Sequence, residues 1–361
     1  MRLNEITPAI FGGLGLSQYE MRLGESPAGR EVLFLIDGFG AQVLEEYEEL
    51  IPNILQGKSF GDVVTAFPST TSTSLATLLT GAMPNEHGML GYTVRIPHSN
   101  GRTLNALKWD ERVDPFIWQP KETIFEVGSR HGINVSHVAA KRYEGTGFTR
   151  AVFRGANYRG ANLYPDLVGE TCEALKQTPA FVYLYVNDLD VAGHVAGYGS
   201  EKWLEALRMI DNLVGQLRAK LPKGTRVWVT GDHGMLNVGK KIVIGRDNLL
   251  NTEVATIAGE PRARHIYLAR EEISKEISHL WRSELGDIAS VYTKEEAITA
   301  NLFGQPMPFN FADRIGDLVV IVNDDSILID PAREKLEGAM VGHHGALTDS
   351  ERFVPLMQLL I

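Results

Sequence analysis

A chain of 361 residues, 44% of them apolar, has room for one large α/β core plus an insertion, and its composition excludes a disordered chain. A formal charge of −10 without a long Lys/Arg run offers no electrostatic footprint to a nucleic-acid polymer or an anionic membrane. The single cysteine, Cys172, cannot form an internal disulfide, the start MRLNEITPAIF has no basic stretch leading into an apolar one, and no apolar run nears the roughly 20 residues that cross a bilayer, so a cytoplasmic protein away from membranes is expected.

Along the chain, short apolar runs bounded by Gly, Asp or Asn alternate with helix-like stretches, the pattern of an α/β fold with a mostly parallel central sheet and helices on both faces. Strands are expected at 31–36 (EVLFLI), 62–66, 133–138, 181–186 (FVYLYV), 226–230 (RVWVT) and 317–321 (DLVVI), with a closing strand in FVPLMQLLI. The spacing predicts helices over 41–50, 72–80, about 121–130, 164–177 and 201–220. In the last of these, Trp203, Leu204, Leu207, Ile210, Leu213, Val214 and Leu217 recur at helical intervals. From about 240 to 335 the pattern blurs, with strands near 264–269 and 288–292 and helices near 271–283 and 294–300. This stretch reads as a smaller cap lobe inserted into a single catalytic domain spanning 1–361, because the ligand-type His344 lies beyond it and the chain must return to the core.

Three strands run directly into metal-type residues: the first into Asp37-Gly38, FVYLYV into Asp188, Asp190 and His194, and RVWVT into Asp232-His233. The carboxyl ends of strands in an open α/β sheet are where ligands bind. Taken singly, Asp37 before a glycine is no more than a helix cap or turn former, and Asp232-His233 no more than a hydrogen-bonded pair. Together these acids would crowd one sheet edge with no Lys or Arg in the same segments to neutralise them, a burden that divalent cations relieve. Carboxylate with imidazole suits zinc, with manganese as the alternative. Asp190 and His194 stand one helical turn apart and can reach one ion, while Asp188 is the competing carboxylate, read as a cap or an orienting neighbour. The run Phe67-Pro68-Ser69-Thr70-Thr71-Ser72-Thr73-Ser74 before LATLL supplies hydroxyls at a helix start, where most serve as caps and one can face a phosphate as nucleophile. Residue chemistry does not choose among Thr70, Thr71 and Ser72.

LIDGFG (35–40), FPSTTSTSLATLLTGAMPNEHG (67–88), YVNDLDVAGH (185–194), TGDHGM (230–235) and HHGALTDSE (343–351) follow one another as in the alkaline phosphatase superfamily. The chain resembles the type I phosphodiesterase/nucleotide pyrophosphatase family within it. That resemblance implies an alkaline phosphatase-like fold with an inserted cap, two divalent metal ions, usually zinc, and an attack that leaves a covalent phospho-threonine. It implies Thr71 as the nucleophile, Asp37, Thr71, Asp232 and His233 around one ion, and Asp190, His194 and His344 around the other. His344 is preferred over His343 because it directly precedes a glycine, and His87 is taken as structural.

One departure stands out. Where the family has an asparagine that donates to a phosphate oxygen, this chain has Tyr92, whose hydroxyl can also donate and whose ring can equally be core. Tyr185 falls where the family offers an aromatic to the substrate, although core packing is the preferred reading there. The implied substrate is a small phosphorylated molecule with a diester or pyrophosphate bond, nucleotides included. A phosphomonoesterase, a phosphonate hydrolase and a phosphomutase share the superfamily's core, and a non-catalytic metal-stabilised binding protein is the rival from another class. A sulfatase is disfavoured, since Cys172 in GETCEALK has no CxPxR-type context.

Overall fold

The computed structural model describes residues 1–20, 23 and 29–361. The central sheet has seven strands: β1 (Arg30–Ile36), β2 (Lys58–Val64), β3 (Asn134–Ala139), β4 (Asn157–Gly160), β5 (Ala180–Val186), β6 (Thr225–Thr230) and β7 (Phe353–Leu360). Their spatial order is β2-β7-β6-β1-β5-β3-β4. From β6 to β4 every pairing is parallel, and β7 is wedged antiparallel between β6 and β2. The middle strands read as almost unbroken apolar runs because both their faces are covered. On β1, Leu33 and Leu35 face one core and Val32, Phe34 and Ile36 the other, as strand alternation requires.

Helix α1 (Thr71–Thr80) packs in the first of these cores, with Leu75, Leu78 and Leu79 meeting Phe11, Phe125 and Tyr183. Past β5 the chain turns straight into α2 (Asp188–Ala196), then α3 (Glu201–Lys220), whose Trp203, Leu207, Ile210 and Leu217 fill the second core. A second sheet, antiparallel and four-stranded, is built from Val254–Glu260, Ala263–Leu268, Leu318–Val322 and Ala289–Thr293 in that spatial order. It has its own apolar cluster, in which Ile277, Trp281 and Leu285 of helix Ser274–Leu285 lie on Ile266, Val291 and Val320. Among the described residues no helix is long and apolar enough to cross a membrane.

Two expected elements come out differently. The helix anticipated over 41–50 is only a turn, Val43–Glu46, followed by a 3-10 turn, Glu48–Leu50. Glu45, Glu46, Glu48 and Glu49 repel one another and would stack negative charge at the negative end of a helix. The strand anticipated at 62–66 instead spans Lys58–Val64. It is a half-exposed edge strand, and the chain leaves the sheet ahead of Pro68, which has no N–H to give a ladder.

A buried ion pair ties the second sheet to the returning chain. Arg262 donates through Nε to Glu351 Oε1 at 2.7 Å and through its NH2 group to Oε2 at 2.8 Å, with both side chains 0% exposed. Glu351 also accepts from the backbone N–H of Ala346 at 2.9 Å, two residues past His344. Removing one partner of such a pair strands the other charge in a dry interior. Glu351→Ala is therefore expected to lower the unfolding free energy by about 3–5 kcal/mol, read as a shift of the urea midpoint, and an unchanged midpoint would contradict this account of the pair.

Candidate active site

The parallel register brings the ends of β1, β5 and β6 to one edge, pairing Ile36 with Val186 and Leu35 with Thr230. The next residues of each strand therefore share one surface, with Asp37 after β1, Asn187 and α2 after β5, and Asp232-His233 after β6. Gly38, at φ +75°, makes this approach possible: a Cβ there would sit 3.1 Å from the Cα of Asp190. Asp190 and His194 lie one turn apart on α2, with Asp190 Oδ1 3.4 Å from His194 Nε2. Asp188 is exposed and accepts from the Tyr164 hydroxyl at 3.1 Å, the orienting role anticipated for it.

Three imidazoles are fixed by the same device. His233 Nδ1 lies 3.0 Å from the Gly234 carbonyl oxygen, His194 Nδ1 2.8 Å from that of Gly342, and His344 Nδ1 2.9 Å from that of Ser69. A carbonyl oxygen only accepts, so each Nδ1 carries a proton and Nε2 is the nitrogen turned inward, which leaves its lone pair to a metal ion in the tautomer of a ligand held by a backbone partner. Facing these lone pairs are Asp37 Oδ1, Asp190 Oδ1 and Asp232 Oδ2, buried oxygens with no hydrogen-bond partner. His233 Nε2 is 3.4 Å from Asp37 Oδ1 and 3.5 Å from Asp232 Oδ2, and His344 Nε2 is 3.8 Å from Asp190 Oδ1.

Acceptors turned towards one another require a proton or a cation between them. The ligand atoms of Asp37, Asp232 and His233 lie within 4.8 Å of one another, and so do those of Asp190, His233 and His344. His233 thus sits between the two groups, its ring stacked 3.6 Å from that of His344. The donor set of carboxylate and imidazole fits zinc or manganese.

The strain is visible in the proton affinities. Burial pushes the Asp232 carboxyl up, reinforced by Asp37, and burial likewise raises Asp190. His233 is pulled down by burial, yet Asp232, Asp37 and Asp190 together outweigh that and raise it. His344 falls well below the ordinary imidazole value through burial and the neighbouring His233 and His194. Without a cation the site must hold protons instead.

Of the hydroxyl cluster, Ser69 donates to the Ala346 carbonyl and Ser72 to that of Gly91 at 3.1 Å, so both serve the scaffold. Thr71, first residue of α1, has its Oγ1 3.2 Å from His233 Nε2. Position at a helix start adds free N–H groups and a positive dipole end. Thr71 also lies where two cavities meet, since it lines both. The larger, about 220 Å³, is lined by Thr70, Tyr92, Glu260, Arg333 and His344 among others. The smaller, about 130 Å³, is walled by Tyr143, Phe148, Phe153 and Tyr185.

Tyr92 is half-buried on the larger cavity, its backbone N–H donating to Glu260 at 3.0 Å while its hydroxyl makes no hydrogen bond to a described residue. Tyr185 is more than packing: its hydroxyl donates to Asp37 Oδ2, leaving Oδ1 as the inward oxygen. His87 and His343 are structural, His87 bonded to Thr77 at 3.0 Å and His343 aimed at the Glu337 carbonyl at 3.2 Å. Exposed Arg142 donates to the Tyr143 hydroxyl at 2.8 Å beside the aromatic cavity. Tyr143, Glu260 and Arg333 line the cavities without any motif to announce them.

Comparisons with known proteins show a family and a fold. The family model described as Type I phosphodiesterase / nucleotide pyrophosphatase matches residues 32–347. The chain is similar to ectonucleotide pyrophosphatase/phosphodiesterase family member 3 of Mus musculus, 26% identical over 219 residues that make up 56% of this chain and 24% of that protein. It is also similar to venom phosphodiesterase 2 of Crotalus adamanteus, 26% identical over 230 residues, 58% of this chain and 28% of that one. The matched stretch spans about a quarter of the length of these curated relatives. Among solved structures, murine ectonucleotide pyrophosphatase/phosphodiesterase 5 matches the fold with a TM-score of 0.71 at 20% identity, covering 91% of this chain and 87% of that one. That murine protein has also been solved as an inactive threonine-to-alanine variant in complex with AMP.

A stability prediction follows from the raised groups. Asp232, His233 and Glu260, the last pushed by burial to about 8, hold protons in the folded chain that the unfolded chain has released. The folded state then binds more protons than the unfolded one above pH 6.5, the ordinary value for His233, so stability must fall as pH rises from there to about 9. Metal-free protein should show this fall in its Tm, and zinc should raise Tm most at the alkaline end by replacing those protons. A metal-free Tm that rises across this window would contradict the proton assignment.

Proposed function

The chain belongs to the type I phosphodiesterase/nucleotide pyrophosphatase family, and from that premise we propose that it hydrolyses phosphodiester or pyrophosphate bonds of small, nucleotide-type substrates through Thr71. The observation that carries this reading is the Thr71 hydroxyl at a helix N-terminus, 3.2 Å from His233 Nε2 and beside the unpartnered oxygens of Asp37, Asp190 and Asp232. Two divalent cations, zinc in the first instance, would be held by Asp37, Thr71, Asp232 and His233 and by Asp190, His194 and His344. Bound there, such cations supply Lewis acidity and lower the pKa of a coordinated hydroxyl or water.

Thr71 gives up its hydroxyl proton and its Oγ1 forms a bond to phosphorus as the opposite P–O bond breaks, the departing oxygen taking a proton. The N–H groups opening α1 face the charge that grows on the phosphoryl oxygens, and the free Tyr92 hydroxyl can donate to one of them. Tyr185 keeps Asp37 in register through its hydrogen bond. Water then forms its own bond to phosphorus, the Oγ1–P bond breaks, and Thr71 regains a proton. The aromatic walls of the smaller cavity suit a flat base or aryl group. An AMP complex of a solved relative supports the nucleotide class. The stretch 240–335, which carries the second sheet, is proposed as the inserted lobe that shapes the larger cavity through Glu260 and Arg333.

Metal-loaded enzyme should cleave bis-p-nitrophenyl phosphate faster than p-nitrophenyl phosphate. Thr71→Ala should lose at least about a hundredfold in kcat/KM on the diester while keeping its bound metal. Undiminished turnover by Thr71→Ala would remove Thr71 from the mechanism, and a clear preference for the monoester would overturn the diester reading.

A further inference from the structure

A phosphorus placed at Thr71 has a cavity on each side, and the two differ in chemistry. The smaller is walled by neutral aromatic rings. Among the described residues lining the larger one, Arg333 alone carries a permanent positive charge. Its guanidinium stands 6.0 Å over the Tyr92 ring, so the arginine and the tyrosine share one wall.

Arg333 is held in place but not used up. It ends a 3-10 turn, Pro331–Arg333, capped by Asp330, whose side chain accepts from the Ala332 N–H at 2.9 Å. Its charged neighbour among the described residues is Glu337, with Nε at 3.5 Å from Oε1, too long for a full hydrogen bond. Glu337 shares its charge: its other oxygen, Oε2, takes the buried ion pair with Arg264 and the Asp330 N–H at 3.1 Å, and only Oε1 is turned to Arg333. The Arg333 side chain remains 28% exposed, open enough to meet a ligand. Buried Arg262 is by contrast engaged through all three nitrogens by Glu351 and the Ser326 carbonyl, and Arg264 is held by Glu337 and the Leu328 carbonyl with one nitrogen left unpaired.

Building on the phosphodiesterase reading above, we propose that Arg333 is a specificity residue: it selects substrates whose arm in the larger cavity carries a second oxyanion, phosphate or carboxylate, beyond the scissile phosphorus. A guanidinium fork matches either oxyanion. A substrate with an aromatic arm and an anionic arm fills both cavities, whereas a diester with two neutral arms leaves Arg333 without a partner.

The test compares kcat/KM of the full-length, metal-loaded wild type, Arg333→Gln and Arg333→Lys on three substrates. These are bis-p-nitrophenyl phosphate, a nucleoside triphosphate cleaved between its α and β phosphorus atoms, and a p-nitrophenyl p-carboxyphenyl phosphate diester. Arg333→Gln is expected to lower the ratio of triphosphate to bis-p-nitrophenyl cleavage by about tenfold or more, mainly through KM, and Arg333→Lys to recover part of it. A fall for the triphosphate alone assigns the site to phosphate, and a matching fall for the carboxylate diester assigns it to oxyanions in general. A ratio unchanged within about twofold, or an equal loss on all three substrates, overturns the proposal while leaving the phosphodiesterase reading intact. A wild type that cleaves none of them overturns both.

Discussion

Three carboxylates, Asp37, Asp190 and Asp232, are driven together by the ends of parallel strands, and each keeps a buried oxygen with no hydrogen-bond partner. Nothing in a protein interior tolerates that arrangement uncompensated. Histidine Nε2 lone pairs add to the excess of acceptors, because each ring spends its Nδ1 proton on a backbone carbonyl. The chain builds a cation-shaped deficit at one sheet edge, and much of its architecture can be understood as holding that deficit in place.

The segment that follows the second sheet is the principal clamp. After the second sheet it returns to pair Val341 N–H with the His194 carbonyl at 2.8 Å, brings His344 onto Ser69, and receives the Gly234 N–H at the Glu351 carbonyl at 2.8 Å. These contacts join α2, the hydroxyl run and the turn after β6 to one another before β7 enters the sheet. Arg262 against Glu351 then couples the second sheet to this clamp. The second sheet, which contributes Glu260 to the larger cavity, is thereby tied to the same segment that carries His344.

Much of this was legible in sequence where chemistry and period coincide. The middle strands announce themselves because burial on both faces demands unbroken apolar runs, and the acids after them follow from where such strands end. Trp203 to Leu217 marks a helix by spacing alone. Thr71 is different, since a row of hydroxyls carries no internal signal, and the resemblance rather than the residues singled it out. Its distance to His233, together with the scaffold bonds of Ser69 and Ser72, is what separates it from its neighbours. The hydrogen bond from Tyr185 to Asp37 was hidden because strand position looks the same for a packing ring and an orienting one. Arg333 was illegible for a further reason: it sits on a one-turn 3-10 segment in a stretch without periodicity, and its place in the cavity depends on long-range packing. The acidic run at 45–49 misled in the opposite direction, since helix formers gathered there repel.

Elemental analysis of the purified, zinc-equilibrated protein counts the cations that this sheet edge holds. The account predicts two zinc ions per chain in the wild type and a lower content in Asp232→Asn, which neutralises a carboxylate whose inward oxygen no other group satisfies. A wild type that retains no metal, or an Asp232→Asn variant that retains as much as the wild type, would contradict it.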